Sequence, residues 1–496
     1  MISPIEPPKI DLTGDSSAKL DELRRRMRRP QRHRLLHGYP LAAAMPRVED
    51  VHNAKYQMMT YDPHRGLLIG VLPHPFCNPA ISGCGFCTFP HESFSTRKAT
   101  VVIEHVEREI EQRLKHDPGL MGRSVAALYF GGGTANLSPP EPFRKICRTL
   151  AKSFDLSSAE VTLEGVPGAF LYRKPPLVDI LHEELPARHF RLSMGIQTFD
   201  EQRLQQMGRT GFGNAATFQE VVRLGHERGF TVSGDMLINL PGQFLEEMRD
   251  DVARAIEIGL DHIGLYHLVL FEGLGTEWSR DPDLVASLPT NDTAAENWRE
   301  LRRMLLERGF DQATLTNFER HEHRDQPTRF QYEELSFQPG RYDIIGFGPS
   351  AISGSGTGRT AMKVMNPDGA LAYNAAIDWG RTHWDRVFQY STADLKILHL
   401  TRQIAALRIN RFDYEQFFGT DPVDDFPSEF DAFEHEGLIH VTDEMITLTD
   451  IGMFYADSIA TLLAGKQLRT QRGSRTNEGP PEIDLLKENN NAYGHM

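Results

Sequence analysis

Cys77, Cys84 and Cys87 fall within eleven residues, in the run PFCNPAISGCGFCTF, and Cys147 is the one further cysteine among 496 residues. A chain that nearly avoids cysteine and then clusters three is not building a disulfide framework. Thiolates at this spacing suit a soft metal centre. The pattern C-x6-C-x2-C fits a loop wrapped around a compact inorganic core, and a 4Fe–4S cluster takes thiolate ligands, one per iron. Three local ligands leave one iron open, and an open position can bind and activate a small molecule, as at catalytic zinc. Two other readings stay open. Zinc would need a fourth ligand, which His74 or His91 could supply, and the thiols could be buried without any metal. Gly83 and Gly85 flank Cys84 and permit tight turns. His91 and Glu92 follow the loop and could shield or orient whatever it holds.

Such a loop needs a frame. From about residue 65, short apolar runs recur, each ending in glycine, proline or polar residues as strands do. They are LLIGVLPH (67–74), AALYFGG (126–132), EVTLEGVP (160–167), RLSMGIQ (191–197), TVSGDMLINLP (231–241), HIGLYHLVL (262–270), ATLTNF (313–318) and DIIGFGP (343–349). Helical patterns lie between several of them. Residues 100–116 place Val102, Ile103, Val106, Ile110 and Leu114 on one face. Two further helical runs stop at Gly229 and Gly259, as helix ends do. Strand–helix alternation over this length implies parallel strands joined by crossover helices. The fold class is α/β, with a partial or full TIM-type barrel whose functional residues cluster at the C-terminal strand ends. Residues 1–55 read as an N-terminal extension, 56–360 as the barrel, 361–392 as a linker, 393–467 as a small winged-helix-like α+β cap and 468–496 as a disordered tail.

The net charge of −14 argues against a broad nucleic-acid footprint. The basic run 23–34 reads as a solvated helix end or flexible arm. No stretch approaches the length of a membrane span, and the N-terminus lacks an apolar signal core. A reducing cytoplasm is the expected location.

The cysteine loop, followed by LYFGGGT (128–134), resembles the radical S-adenosylmethionine (radical SAM) superfamily. More narrowly, the chain resembles the oxygen-independent coproporphyrinogen III oxidase family through LEGVPG (163–168), RLSMGIQTFD (191–200), MGRTG (207–211), GDMLINLPGQ (234–243), IGFGPSAIS (345–353) and GLIHVTDEMITLTDIG (437–452). The resemblance implies that Cys77, Cys84 and Cys87 ligate a 4Fe–4S cluster. S-adenosylmethionine would then fill the open iron and be cleaved to methionine and a 5′-deoxyadenosyl radical. It also implies cofactor contacts at Gly131, Gly132, Gly133, Thr134, Glu164, Gln197, Arg209 and Asp235. A second S-adenosylmethionine would lie against Phe337, Gln338 and Ile352. Tyr266 would reach the substrate, with Gln338 beside the chemistry.

The chain departs from that oxidase. Its first two cysteines are three residues further apart, Phe89 stands where the oxidase has a further cysteine, and Val71 replaces a characteristic tyrosine. These departures favour the methyltransferase and cyclopropanase branch, in which two S-adenosylmethionines deliver a methyl or methylene group to an sp2 carbon of a natural product, an antibiotic-biosynthesis type of setting. Alternatives are a coproporphyrinogen dehydrogenase, a heme-degrading relative, or a heme chaperone. A flavodoxin or ferredoxin would supply electrons, and a partner methyltransferase could complete the reaction.

Overall fold

The computed structural model describes residues 14–48, 59, 61–77, 84–89, 92–356, 361–380 and 384–473. Six apolar runs become parallel strands: β1 (Gly66–Val71), β2 (Ala127–Phe130), β3 (Glu160–Gly165), β4 (His189–Gln197), β5 (Thr231–Ile238) and β6 (His262–His267). They are buried along most of their length, which is why they read as near-continuous apolar stretches. They continue into β7 (Phe310–Gln312), β8 (Asn317–Arg320), β9 (Tyr342–Phe347), β10 (Ile352–Ser355), β11 (Met362–Met365) and β12 (Arg386–Gln389).

The twelve strands form one sheet in the order β12-β11-β10-β9-β1-β2-β3-β4-β5-β6-β8-β7. The central members, β9 and β1 to β6, run parallel. Antiparallel strands extend both flanks. The order begins at β12 and ends at β7, so the barrel is partial.

Helices α1 (Gly14–Met27) and α2 (Arg34–Gly38) precede the sheet. The crossovers include α3 (Thr96–His116), α4 (Pro140–Ser153), α5 (Ala215–Glu227) and α6 (Leu245–Glu257). The face read from the sequence of α3 is the one it buries. Helices α5 and α6 end just before Gly229 (φ 73°) and Gly259 (φ 89°), where the left-handed turn favours glycine. Beyond the sheet, α7 (Thr392–Ala405) begins a unit with a small antiparallel sheet of Arg408–Asn410, Met445–Leu448 and Ile439–Val441.

Three sequence boundaries need correction. Residues 361–392 are not a linker: β11, the helix Ala370–Asp378 and β12 lie there, and both strands widen the main sheet. MKVM and RVFQ are too short to show a period, and only pairing reveals them. The N-terminal segment is not a loose extension. It buries Leu23, Leu36 and Tyr39 completely, and Lys19 meets Glu429 at 2.7 Å on the C-terminal unit. Its basic run begins in the last turn of α1, as the helix-end reading expects, and there the exposed Arg24 donates to Glu436 at 2.9 Å. The helix Gly465–Gly473 runs past position 468, and residues 474–496, to which the tail reading otherwise applies, lie outside the described residues. Residues 357–360, at the end of the span read as the barrel, lie outside them too. Among the described residues, no helix is long and apolar enough to cross a membrane.

Glu109 fastens this frame from within. Fully buried on α3, it accepts from Arg113 (2.7 Å), Asn366 (2.9 Å), the Gly348 backbone N–H (2.8 Å) and the Tyr373 hydroxyl (2.8 Å). It thus ties α3 to the loop after β9 and to the helix Ala370–Asp378. Glu109→Leu strips Arg113, Asn366, Tyr373 and the Gly348 N–H of a shared buried acceptor and leaves the Arg113 charge without its carboxylate, so it should lower unfolding free energy by about 3–5 kcal/mol. An earlier urea midpoint than that of wild type checks this.

Candidate active site

The cysteine loop leaves the sheet beyond the C-terminal end of β1. Phe76–Cys77 pairs in parallel with Glu92–Ser93, which pins both ends of the loop together. Within it, the Cys87 N–H donates to the Cys84 carbonyl at 2.9 Å, turning the chain between the two thiols. Gly85 must be glycine there: a Cβ would sit 2.2 Å from the Trp278 indole nitrogen. The Trp278 backbone N–H in turn donates to the Gly85 carbonyl at 2.9 Å. Residues 78–83 and 90–91 lie outside the described residues, and with them Gly83 and His91.

Two donors aim at the thiols. The Thr134 hydroxyl donates to Cys77 Sγ at 3.1 Å, and Arg209 Nη1 donates to Cys84 Sγ at 3.2 Å. Arg209 is itself buried and held by the Gly195 carbonyl at 2.5 Å. Burial, then the neighbouring Cys84, pushes the Cys87 thiol up to about 12. A buried thiol so raised resists ionising unless a cation joins it, which is what a metal centre provides. The three cysteine sulfurs are spread too widely for one small ion. Among the described residues, the ligand group lying within 4.8 Å of one another is Asp261, Glu322 and His323, not the cysteines. His74 does not complete a zinc set either. Its Nδ1 accepts from the Phe76 N–H at 3.3 Å, and its unpartnered Nε2 joins no group of three ligand atoms within that distance of one another among the described residues. The donor set fits a larger iron–sulfur core.

Cys84 and Cys87 line a cavity of 380 Å³. That volume suits a small-molecule site. Gly131, Gly132 and Gly133 line it after β2, Glu164 at the end of β3, Gln197 at the end of β4, Asp235 on β5 and Tyr266 on β6. The C-terminal strand ends therefore converge as the barrel reading expects. Gly132 has φ 109° and packs on Leu72, and Gln197 has φ 73°. Tyr129 donates to Glu164 at 3.0 Å. Burial raises the Glu164 carboxyl to about 7, and burial together with the Glu164 charge raises Asp235 to about 7.

The residues proposed for a second cofactor do not line this cavity. Phe337 is fully buried, edge-on to His37 at 5.2 Å. The Gln338 carbonyl accepts from the Arg341 N–H at 2.8 Å within a turn. Ile352 lines a smaller adjoining cavity of 80 Å³.

Several lining residues escaped the sequence reading. Arg191 donates to Glu160 (3.0 Å) and Ser233 (3.1 Å), and stacks over Phe330 at 4.1 Å. The signal was present: Arg191, Ser193 and Gln197 share one face of β4 by the alternation of a strand. Arg32 and His33 also line the cavity, but no local pattern places an N-terminal segment there.

Comparison with known proteins agrees with this geometry. Residues 71–255 match the radical SAM superfamily model. The superfamily implies a 4Fe–4S cluster and S-adenosylmethionine. The heme chaperone HemW of Lactococcus lactis is 26% identical over 246 residues, 49% of this chain and 60% of that protein. Anaerobilin synthase of Escherichia coli O157:H7 is 31% identical over 235 residues, 46% of this chain and 49% of that one. The chain thus spans about half to three-fifths of these relatives. The structure of coproporphyrinogen III oxidase (HemN) from Escherichia coli superposes with a TM-score of 0.65 at 20% identity, over 81% of this chain and 91% of that one. The fold is therefore a radical SAM core. The expectation of methyl or methylene transfer to a natural product is overturned, because these relatives fit its alternatives instead.

The raised carboxyls give a sign for the pH dependence. Unfolded carboxyls titrate near 4, whereas Glu164 and Asp235 hold their protons to about 7 in the fold. The folded chain binds the extra protons, so its stability falls as pH rises through that window. Asp235→Asn removes one such group. The metal-free variant should lose less thermal midpoint than wild type between about pH 5 and pH 8, as calorimetry would record.

Proposed function

We propose that this chain, built on a radical SAM core, is an enzyme that abstracts a hydrogen atom from a tetrapyrrole, in the manner of a coproporphyrinogen dehydrogenase or a heme-degrading relative. The observation that carries the reading is the thiol trio, braced by Thr134 and Arg209, beside a cavity ringed by strand-end residues. The tetrapyrrole class is supported by relatives named for heme and anaerobilin, and by a structural neighbour named for coproporphyrinogen.

In this reading Cys77, Cys84 and Cys87 would hold the cluster, which supplies the electron that cleaves S-adenosylmethionine to a 5′-deoxyadenosyl radical. Arg209 and Thr134 hold Cys84 and Cys77 in place by donating to their sulfurs. Glycines 131–133 let the backbone approach a ligand closely. Glu164 and Gln197 offer acceptors to the ammonium and hydroxyl groups of the cofactor. Arg191 and Asp235 bear on the same space, and Tyr266 faces the substrate. The enclosing walls keep water from the radical. A flavodoxin or ferredoxin is the proposed electron source.

A second reading, the heme chaperone, is favoured by His33. Burial holds its imidazole neutral, the Phe454 backbone bonds the ring, and the buried Nε2 has no partner while the residue lines the cavity. A neutral histidine fixed through one nitrogen leaves the other for iron.

Anaerobic reconstitution, reduction and product analysis separate the readings. With coproporphyrinogen III deuterated on its propionate arms, wild type should yield deuterated 5′-deoxyadenosine, and Cys84→Ala should yield none. Unlabelled 5′-deoxyadenosine would count against abstraction from those arms. Heme binding that survives Cys84→Ala and is lost in His33→Ala, without any cleavage, would favour the chaperone.

A further inference from the structure

Beside the main cavity lies the smaller one of 80 Å³, and His37, Leu72 and Phe89 line both. Its walls are largely apolar, but two cations reach it: Lys363 on β11 and Arg402 on α7. Neither has a carboxylate partner among the described residues. Lys363 Nζ is buried and donates to the Gly38 and Pro40 carbonyls at 2.9 and 2.8 Å. Arg402 lies over the Phe337 ring at 5.8 Å, and its buried Nη1 meets no acceptor. Glu333 is the carboxylate whose charge acts on Arg402. Its Oε1 is already taken by the Thr314 hydroxyl at 2.8 Å and the Asn317 amide at 2.6 Å.

A buried lysine and a partly buried guanidinium facing one apolar space, with Glu333 the carboxylate whose charge reaches the guanidinium, are costly to keep charged, and burial pulls Lys363 down to about 7. Carbonyl oxygens answer the lysine's hydrogens but not its charge. A guanidinium with an open N–H matches a carboxylate, and such charge-assisted bonds are among the stronger ones. The pocket is too small for a second large ligand and adjoins the reaction cavity. A short acidic arm on a molecule seated next door would fit it.

We propose that Arg402 and Lys363 form an anion subsite that binds a carboxylate-bearing arm of the substrate while the body of that substrate occupies the main cavity. Resting on the tetrapyrrole reading, this assigns the arm as a propionate. It gives the cap helix α7 a part in substrate choice, since Arg402 comes from that helix and Lys363 from the barrel sheet. Tyr390, also lining the pocket, donates to the Tyr39 carbonyl at 3.2 Å and closes its wall.

Binding of coproporphyrin and of its tetramethyl ester to the full chain tests this without turnover. Wild type should prefer the free acid by about tenfold or more, the scale of one charge-assisted hydrogen bond. Arg402→Gln and Lys363→Met should each erase much of that preference while binding the ester as wild type does. Equal binding of acid and ester by wild type would overturn the subsite and leave the tetrapyrrole reading standing. A preference that survives both substitutions would do the same. Sodium butyrate gives an arm independent of the porphyrin. It should raise the thermal midpoint of wild type but not of Arg402→Gln. If butyrate acts so and coproporphyrin does not bind, the subsite stands and the tetrapyrrole reading falls. If neither acid is felt, the subsite falls. Should Arg402→Gln weaken S-adenosylmethionine and spare the porphyrin, the carboxylate is the cofactor's and the proposal is overturned.

Discussion

The organising constraint of this molecule is the gathering of three cysteines on one loop, with Cys87 buried where its thiol resists ionising. Burial and the neighbouring thiols hold Cys87 up near 12, while Arg209 and Thr134 point donors at Cys84 and Cys77. A polynuclear metal core resolves that conflict, because it neutralises thiolates spread over more than one ion's reach. The rest of the frame follows from holding this loop steady. The short Phe76–Cys77 pairing closes its base, Trp278 packs against Gly85, and the parallel strands deliver glycines and carboxyls to the same edge.

Much of this was legible in the chain. Seven of the eight apolar runs hold a strand, because strands buried on both faces leave an unbroken apolar signal; in the eighth, 313–318, the strand begins only at Asn317. The strand-end residues Gly131, Glu164 and Gln197 converge because parallel topology sends all the C-terminal ends to one side, and Asp235 joins them from within β5. What escaped was set by distant contacts. β11 and β12 are four residues each and exist only as additions to β10. Arg32 and His33 reach the cavity because α1 and α2 dock on the C-terminal unit, and nothing local encodes that docking.

The reading of Phe337, Gln338 and Ile352 as one cofactor-binding set met a similar limit. Their spacing matched a motif, yet burial sends Phe337 into the core and leaves Gln338 in a turn. The departures around the cysteine loop invited a methyl-transfer reading, and the relatives overturn it. Those departures still have a physical place. Phe89 lines both cavities, so the remodelled loop borders the space a substrate must enter.

The central claim is that three cysteines hold a 4Fe–4S cluster with one iron left open to S-adenosylmethionine. Electron paramagnetic resonance of the reconstituted, reduced chain tests it directly. The account predicts a reduced 4Fe–4S signal that changes on adding S-adenosylmethionine and is absent in Cys77→Ala, Cys84→Ala and Cys87→Ala. A chain that takes up a single zinc, or a cluster signal indifferent to S-adenosylmethionine, would contradict it.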